Sequence, residues 1–131
     1  MLPPGSYDPA MGLHYLDFEF SGDAEGQGSF DAMASAAPAQ WPALEAEVAS
    51  VLGWAERHFG PAAALDEGGD WDYALRGVRE LATPLVVRYV TGGSALQMEA
   101  GEADPPRVTL MLTLSGTAAF CDALRAAFGL D

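Results

Sequence analysis

The apolar residues of this sequence change their spacing along the chain, and this change constrains the fold more than any other feature. Leu16, Phe18 and Phe20 alternate with polar residues, which is typical of a half-buried strand. Between Trp41 and Phe59 the apolar residues recur every three or four positions, which predicts an amphipathic helix. A chain that mixes the two periods must bury the apolar face of a sheet against helices.

Six segments have the alternation of strands, and two have the helical period. The predicted strands lie at 14–20, 29–36, 71–76, 85–90, 95–100 and 107–114. The first helix follows the second strand, and the second helix closes the chain, so the element order is ββαββββα. This order predicts an α+β fold: a two-layer arrangement of mainly antiparallel sheet with both helices packed on one face.

The length of the chain predicts one folded unit. With 131 residues it has the size of one ordinary domain. We predict a flexible N-terminal arm at residues 1–12, which are rich in proline and glycine, and a single α+β domain at residues 13–131. The alternation also predicts which strand residues face the helices: Leu16, Phe18, Phe20, Phe30, Trp71, Tyr73, Leu75, Leu110 and Leu112.

The charge balance excludes several classes of partner. Nineteen acidic residues oppose six arginines, which gives a formal net charge of −13, and the chain has no lysine, asparagine or isoleucine. Because those three residues have AT-rich codons, a bacterial genome of high GC content explains the composition. Without a basic patch to neutralise phosphates, neither nucleic acid nor an anionic membrane is expected as a partner.

The same composition predicts a cytoplasmic protein. The sequence has no run of eighteen apolar residues and no secretory signal at its start. Its single cysteine, Cys121, fits a reducing compartment.

Acidic residues of the first two strands form the densest polar feature. If these strands pair, Asp17, Glu19 and Asp31 share one face of the sheet. Carboxylates held together have pKa values that are pushed apart, as acid–base catalysis requires, and their oxygens suit a hard cation. An exposed strand face with arginines as cross-strand partners accounts for the same residues.

A second acidic group lies just before and within the third predicted strand. Asp70 and Asp72 belong to a glycine-rich segment that could hold a cation, although its spacing does not match a calcium-binding loop. A solvated loop is the alternative for these residues.

Established catalytic and metal-binding motifs are absent from the sequence. It has no HExxH, CxxC, G-x-S-x-G or P-loop pattern, so we expect no metal and no cofactor and assign no catalytic residue. Cys121 falls near the start of the last helix, where the helix dipole lowers a thiol pKa, but its apolar neighbours favour a buried free cysteine. Thr117 is expected to cap that helix.

No motif is specific enough to indicate a characterised family. The sequence therefore favours a small, acidic, non-catalytic binding or protein-interaction module. Its expected partner is a basic protein or a second copy, which would form a homodimer across the open face of the sheet. The alternative is a small enzyme, or a metal- or ligand-binding protein, that uses Asp17, Glu19 and Asp31.

Overall fold

A computed structural model describes residues 13–130 and confirms the α+β class and the order ββαββββα. The predicted N-terminal arm, residues 1–12, lies outside the described residues. The elements are β1 (Glu19–Gly22), β2 (Gly28–Ala36), α1 (Trp41–Phe59), β3 (Trp71–Glu80), β4 (Leu85–Tyr89), β5 (Leu96–Ala100), β6 (Arg107–Gly116) and α2 (Ala118–Phe128).

The six strands form two antiparallel sheets. Four of them pair in the order β1-β2-β6-β3, whereas β4 and β5 pair only as a separate two-stranded sheet. The sequence analysis placed all six strands in one sheet, and prolines explain the difference. Pro84, Pro105 and Pro106 lie between the two sheets, and proline has no backbone N–H with which to continue a ladder.

The first strand is shorter than the alternation predicts. Residues 14–16 do not join the sheet, because their backbone N–H groups donate to one side chain of α1. That side chain is Glu47, which is only 2% exposed. Its Oε1 accepts from His14 at 2.6 Å, and its Oε2 accepts from Tyr15 at 2.9 Å and from Leu16 at 2.7 Å. The buried Glu47 carboxylate therefore holds residues 14–16, which lead into β1, against α1.

The core lies between one face of the four-stranded sheet and the two helices. Alanines of β2 face this layer and leave room for the larger helix side chains. Trp71 stacks on Phe120 with ring centroids 5.8 Å apart and planes at 10°. The fully buried side chains of largest volume are Phe30, Phe120, Leu44, Leu112, Leu114, Leu124, Val51 and Cys121.

Two residues predicted for the core are exposed. Tyr73 and Leu75 point to the helix side of the sheet, but 45% and 44% of their surfaces remain accessible. The reason is their position on β3, the edge strand, because the helices contact β2 and β6. The predicted side of the sheet was right, whereas the predicted burial was wrong.

The ends of the helices follow local sequence signals. Thr117 caps α2 by accepting a hydrogen bond from the N–H of Phe120 at 3.3 Å, as predicted. Pro42 occupies the first turn of α1, and Gly60, with φ of 80°, ends that helix. Neither of these helices is long and apolar enough to cross a membrane.

Candidate interaction surface and acidic face

A two-stranded ribbon, residues 85–100, extends the fold beyond the four-stranded sheet. It consists of β4, β5 and the turn between them, and every residue of it is exposed. The hydroxyl of Tyr89 donates to the Gly93 carbonyl at 3.1 Å, and Gly92 adopts φ of 80°, so the turn is well defined. Because a two-stranded hairpin is only marginally stable in water, such a ribbon gains from being covered.

Alternation along the ribbon segregates its side chains. Leu85, Val87 and Tyr89 point to one face, and their cross-strand partners point the same way. Each large side chain on that face exposes between 50% and 67% of its surface. We call this surface the apolar ribbon face; its residues are Leu85, Val87, Tyr89, Leu96, Met98 and Ala100.

The opposite face of the ribbon is mixed in character. Val86, Arg88, Gln97 and Glu99 point to it and border a shallow depression of about 370 Å³. Residues 81–100 contain one arginine and one glutamate, so their net charge is zero and the remaining residues carry the whole charge of −13. The ribbon is thus electrically neutral, whereas the rest of the protein, which we call the body, is strongly acidic.

The sequence analysis recognised both ribbon strands but missed this surface. One sheet without a separate ribbon was predicted, and no residue of 85–100 was assigned to the core or to a site. The signal that could have revealed the ribbon is the pair of proline-containing segments, 81–84 and 101–106, that flank it.

The open face of the four-stranded sheet carries the predicted acidic residues. Asp17, Glu19 and Asp31 all border one depression of about 550 Å³. Glu19 and Asp31 are direct cross-strand partners. The hydroxyl of Thr113 on β6 donates to Asp31 Oδ1 at 2.6 Å, which fixes one of the three carboxylates. The Asp31 side chain is exposed, as are those of Asp17 and Glu19.

The other acidic candidates lie elsewhere. Asp72 is on β3, at the sheet edge opposite β1, and its Oδ1 accepts from the N–H of Tyr73 at 2.9 Å. The carbonyl of Asp70 accepts from Thr117 at 3.0 Å, at the start of α2. The structure therefore does not bring these two residues together with the acidic residues of β1 and β2. Within residues 13–130, no group of three or more His, Cys, Asp or Glu side chains is arranged to hold a metal ion.

Cys121 is buried between α2 and the sheet. It is 1% exposed, and its Sγ lies 3.6 Å from the Gly116 carbonyl oxygen. Burial raises the pKa of the thiol above its ordinary value of 9.0, and the positive charge of Arg125 opposes this change by a smaller amount. The interpretation of Cys121 as a buried free cysteine is confirmed, and the pKa of its thiol is raised rather than lowered.

Stability should consequently fall at alkaline pH through Cys121. Because its pKa is higher in the folded protein, the unfolded chain loses this proton first as pH rises above 9.0, and unfolding is favoured. Below that pH the thiol is protonated in both states, so the contribution of Cys121 to the free energy of unfolding is fully present. We expect Cys121→Ala to flatten the decline in the free energy of unfolding above pH 9.0, measured by urea titration across pH. Parallel curves for the two proteins would contradict this assignment.

Two surfaces of the described chain thus merit functional interpretation, the apolar ribbon face and the acidic face. Comparisons with protein-family models, curated proteins and solved structures found no match to this chain.

Proposed function

We propose that this protein is a non-catalytic protein-interaction module that binds its partner through the apolar ribbon face. One observation carries the proposal. Of the eleven large apolar side chains exposed among residues 13–130, eight lie between Leu81 and Met98. The largest contiguous apolar patch of a soluble protein typically covers about 300–600 Å² and often has a binding function.

The shape and charge of the ribbon favour a protein as the partner. Small molecules bind in concave pockets that enclose most of their surface, whereas the residues of this ribbon are exposed on both faces. Nucleic acid requires cations along the contact, and the apolar ribbon face has none. An extended row of apolar side chains instead matches the apolar centre of a protein interface.

The acidic face supports a different function, which stays a prediction from the sequence. Asp17, Glu19 and Asp31 could serve an enzyme or a metal- or ligand-binding protein, as the alternative hypothesis states. All three side chains are exposed to water, and water weakens both catalytic and ligand-binding electrostatics. The ribbon is therefore the surface on which we base the proposed function.

Photo-crosslinking in the cells that make the protein tests the proposal. A photo-reactive amino acid replaces Val87 on the apolar ribbon face or, as the matched control, Val86 on the opposite face. The two valines are neighbours in β4 and are 50% and 47% exposed, so the control differs only in direction. We expect a protein adduct several-fold more abundant from position 87. Equal adducts, or none from position 87, would refute the proposal.

A further inference from the structure

We infer that the partner of the apolar ribbon face is a second copy of this chain, so that two ribbons pack face to face across a twofold axis. This inference rests on the proposed function, because it names the occupant of the same surface. Three properties of the ribbon favour it: the area it offers, its charge and its self-complementarity.

The exposed area matches that of a small dimer interface. Five large side chains that are at least half exposed offer at most roughly 500 Å² on each copy, at about 100 Å² for a fully exposed apolar side chain. Two copies would therefore bury at most about 1,000 Å², an area typical of weak interfaces. We expect a dimer that dissociates in the micromolar range.

The charge distribution favours a second copy over a basic protein. A basic partner would be attracted to the acidic body but would find no carboxylate on the apolar ribbon face with which to pair. Two neutral ribbons, in contrast, can meet without placing like charges in the contact. The chain connects the ribbon to the body at the Glu80–Arg107 end of β3 and β6, through the segments at 81–84 and 101–106.

The surface is also complementary to itself. In a twofold dimer the same residues meet on both sides, so a uniformly apolar face needs no matching pattern of donors and acceptors. Half of the backbone N–H and C=O groups of β4 and β5 bond across the ribbon, and the other half point outward at its edges, where water reaches them in a face-to-face contact. The Tyr89 hydroxyl already donates to Gly93. Packing of two such ribbons at the usual ~10 Å separation between sheets buries side chains without leaving these polar groups unsatisfied.

Sedimentation velocity of the full chain tests the inference. We expect a shift from monomer to dimer as concentration rises through the micromolar range. Molar salt should strengthen the dimer, because it screens the repulsion between two copies that each carry −13. Association with an oppositely charged protein would instead weaken with salt.

Two glutamate variants locate the interface. Val87→Glu places a charge within the apolar ribbon face, and we expect it to raise the dissociation constant at least about tenfold. Val86→Glu adds the same charge at the neighbouring, equally exposed position on the opposite face, and should change that constant less than about threefold. Because both residues lie outside the core, both variants should keep the melting temperature of the unmodified protein at concentrations well below the dissociation constant, where all three proteins are monomers.

The outcomes separate the inference from the proposed function. A dimer that resists Val87→Glu, or that both variants weaken equally, overturns the ribbon interface. A monomer under every condition, together with an adduct from position 87 whose mass shows a different protein, overturns the second copy but leaves the proposed function standing. No intermolecular adduct, or an adduct within one chain to residues 1–12, overturns both.

Discussion

Replacing Glu47 with glutamine is expected to lower the free energy of unfolding by about 3 kcal/mol, as measured by urea denaturation. The carboxylate is buried and accepts three backbone hydrogen bonds, from His14, Tyr15 and Leu16. Glutamine has nearly the same shape, but only its carbonyl oxygen can accept; with that oxygen at the Oε2 position, the NH₂ group faces the N–H of His14 and leaves it without an acceptor. The loss of unfolding free energy would therefore come from a backbone donor without an acceptor, and not from an empty cavity.

Glu45→Gln is the matched control for this variant. Glu45 lies in the same helix but is exposed, so the same change of charge should alter stability by less than about 0.5 kcal/mol. Amide hydrogen exchange gives a second measurement. The N–H groups of residues 14–16 should exchange faster in Glu47→Gln and unchanged in Glu45→Gln. Equal losses of stability in the two variants would show that charge, not hydrogen bonding, is responsible.

The second large effect is expected from Gly116→Ala, which should destabilise the protein by about 2–4 kcal/mol. An added Cβ at this position would lie 2.6 Å from Cγ and 2.8 Å from Cβ of Phe120. That ring cannot move aside easily, because it is fully buried between Trp71, at 5.8 Å, and Phe59, at 5.2 Å, measured between ring centroids. The substitution must therefore separate the end of β6 from the start of α2.

Gly53→Ala is the control, and its expected effect has the opposite sign. Gly53 lies inside α1, where alanine is favoured over glycine by about 0.5–1 kcal/mol. An added Cβ there would meet only the guanidinium end of Arg57 at 3.1 Å, and this flexible side chain can move away. Thermal unfolding should show a lower melting temperature for Gly116→Ala and a higher one for Gly53→Ala. Two changes of the same sign would contradict the packing argument.

Local spacing was sufficient to predict the elements of this fold. The change between strand and helical period defined α1, and Thr117 marked the start of α2, because these signals lie within a few residues of the structure they specify. The shared face of Asp17, Glu19 and Asp31 followed from the same alternation, once β1 and β2 were paired.

Features that depend on distant contacts could not be predicted in this way. In the sequence, Glu47 looks like any exposed glutamate of an amphipathic helix. Its burial depends on hydrogen-bond partners that are 31 to 33 residues away. Tyr73 and Leu75 alternate as core residues do, but whether helices cover them depends on the strand order. The ribbon escaped prediction for the same reason, because alternation does not show which strands become neighbours.

Attachment of the ribbon through two short connecting segments has an evolutionary consequence. Its residues and those of the buried core form separate sets. Mutations can therefore lengthen, shorten or re-pattern the ribbon while the helices remain packed on the sheet. Under the proposed function, partner choice can therefore diverge between descendants of this chain with little constraint from folding.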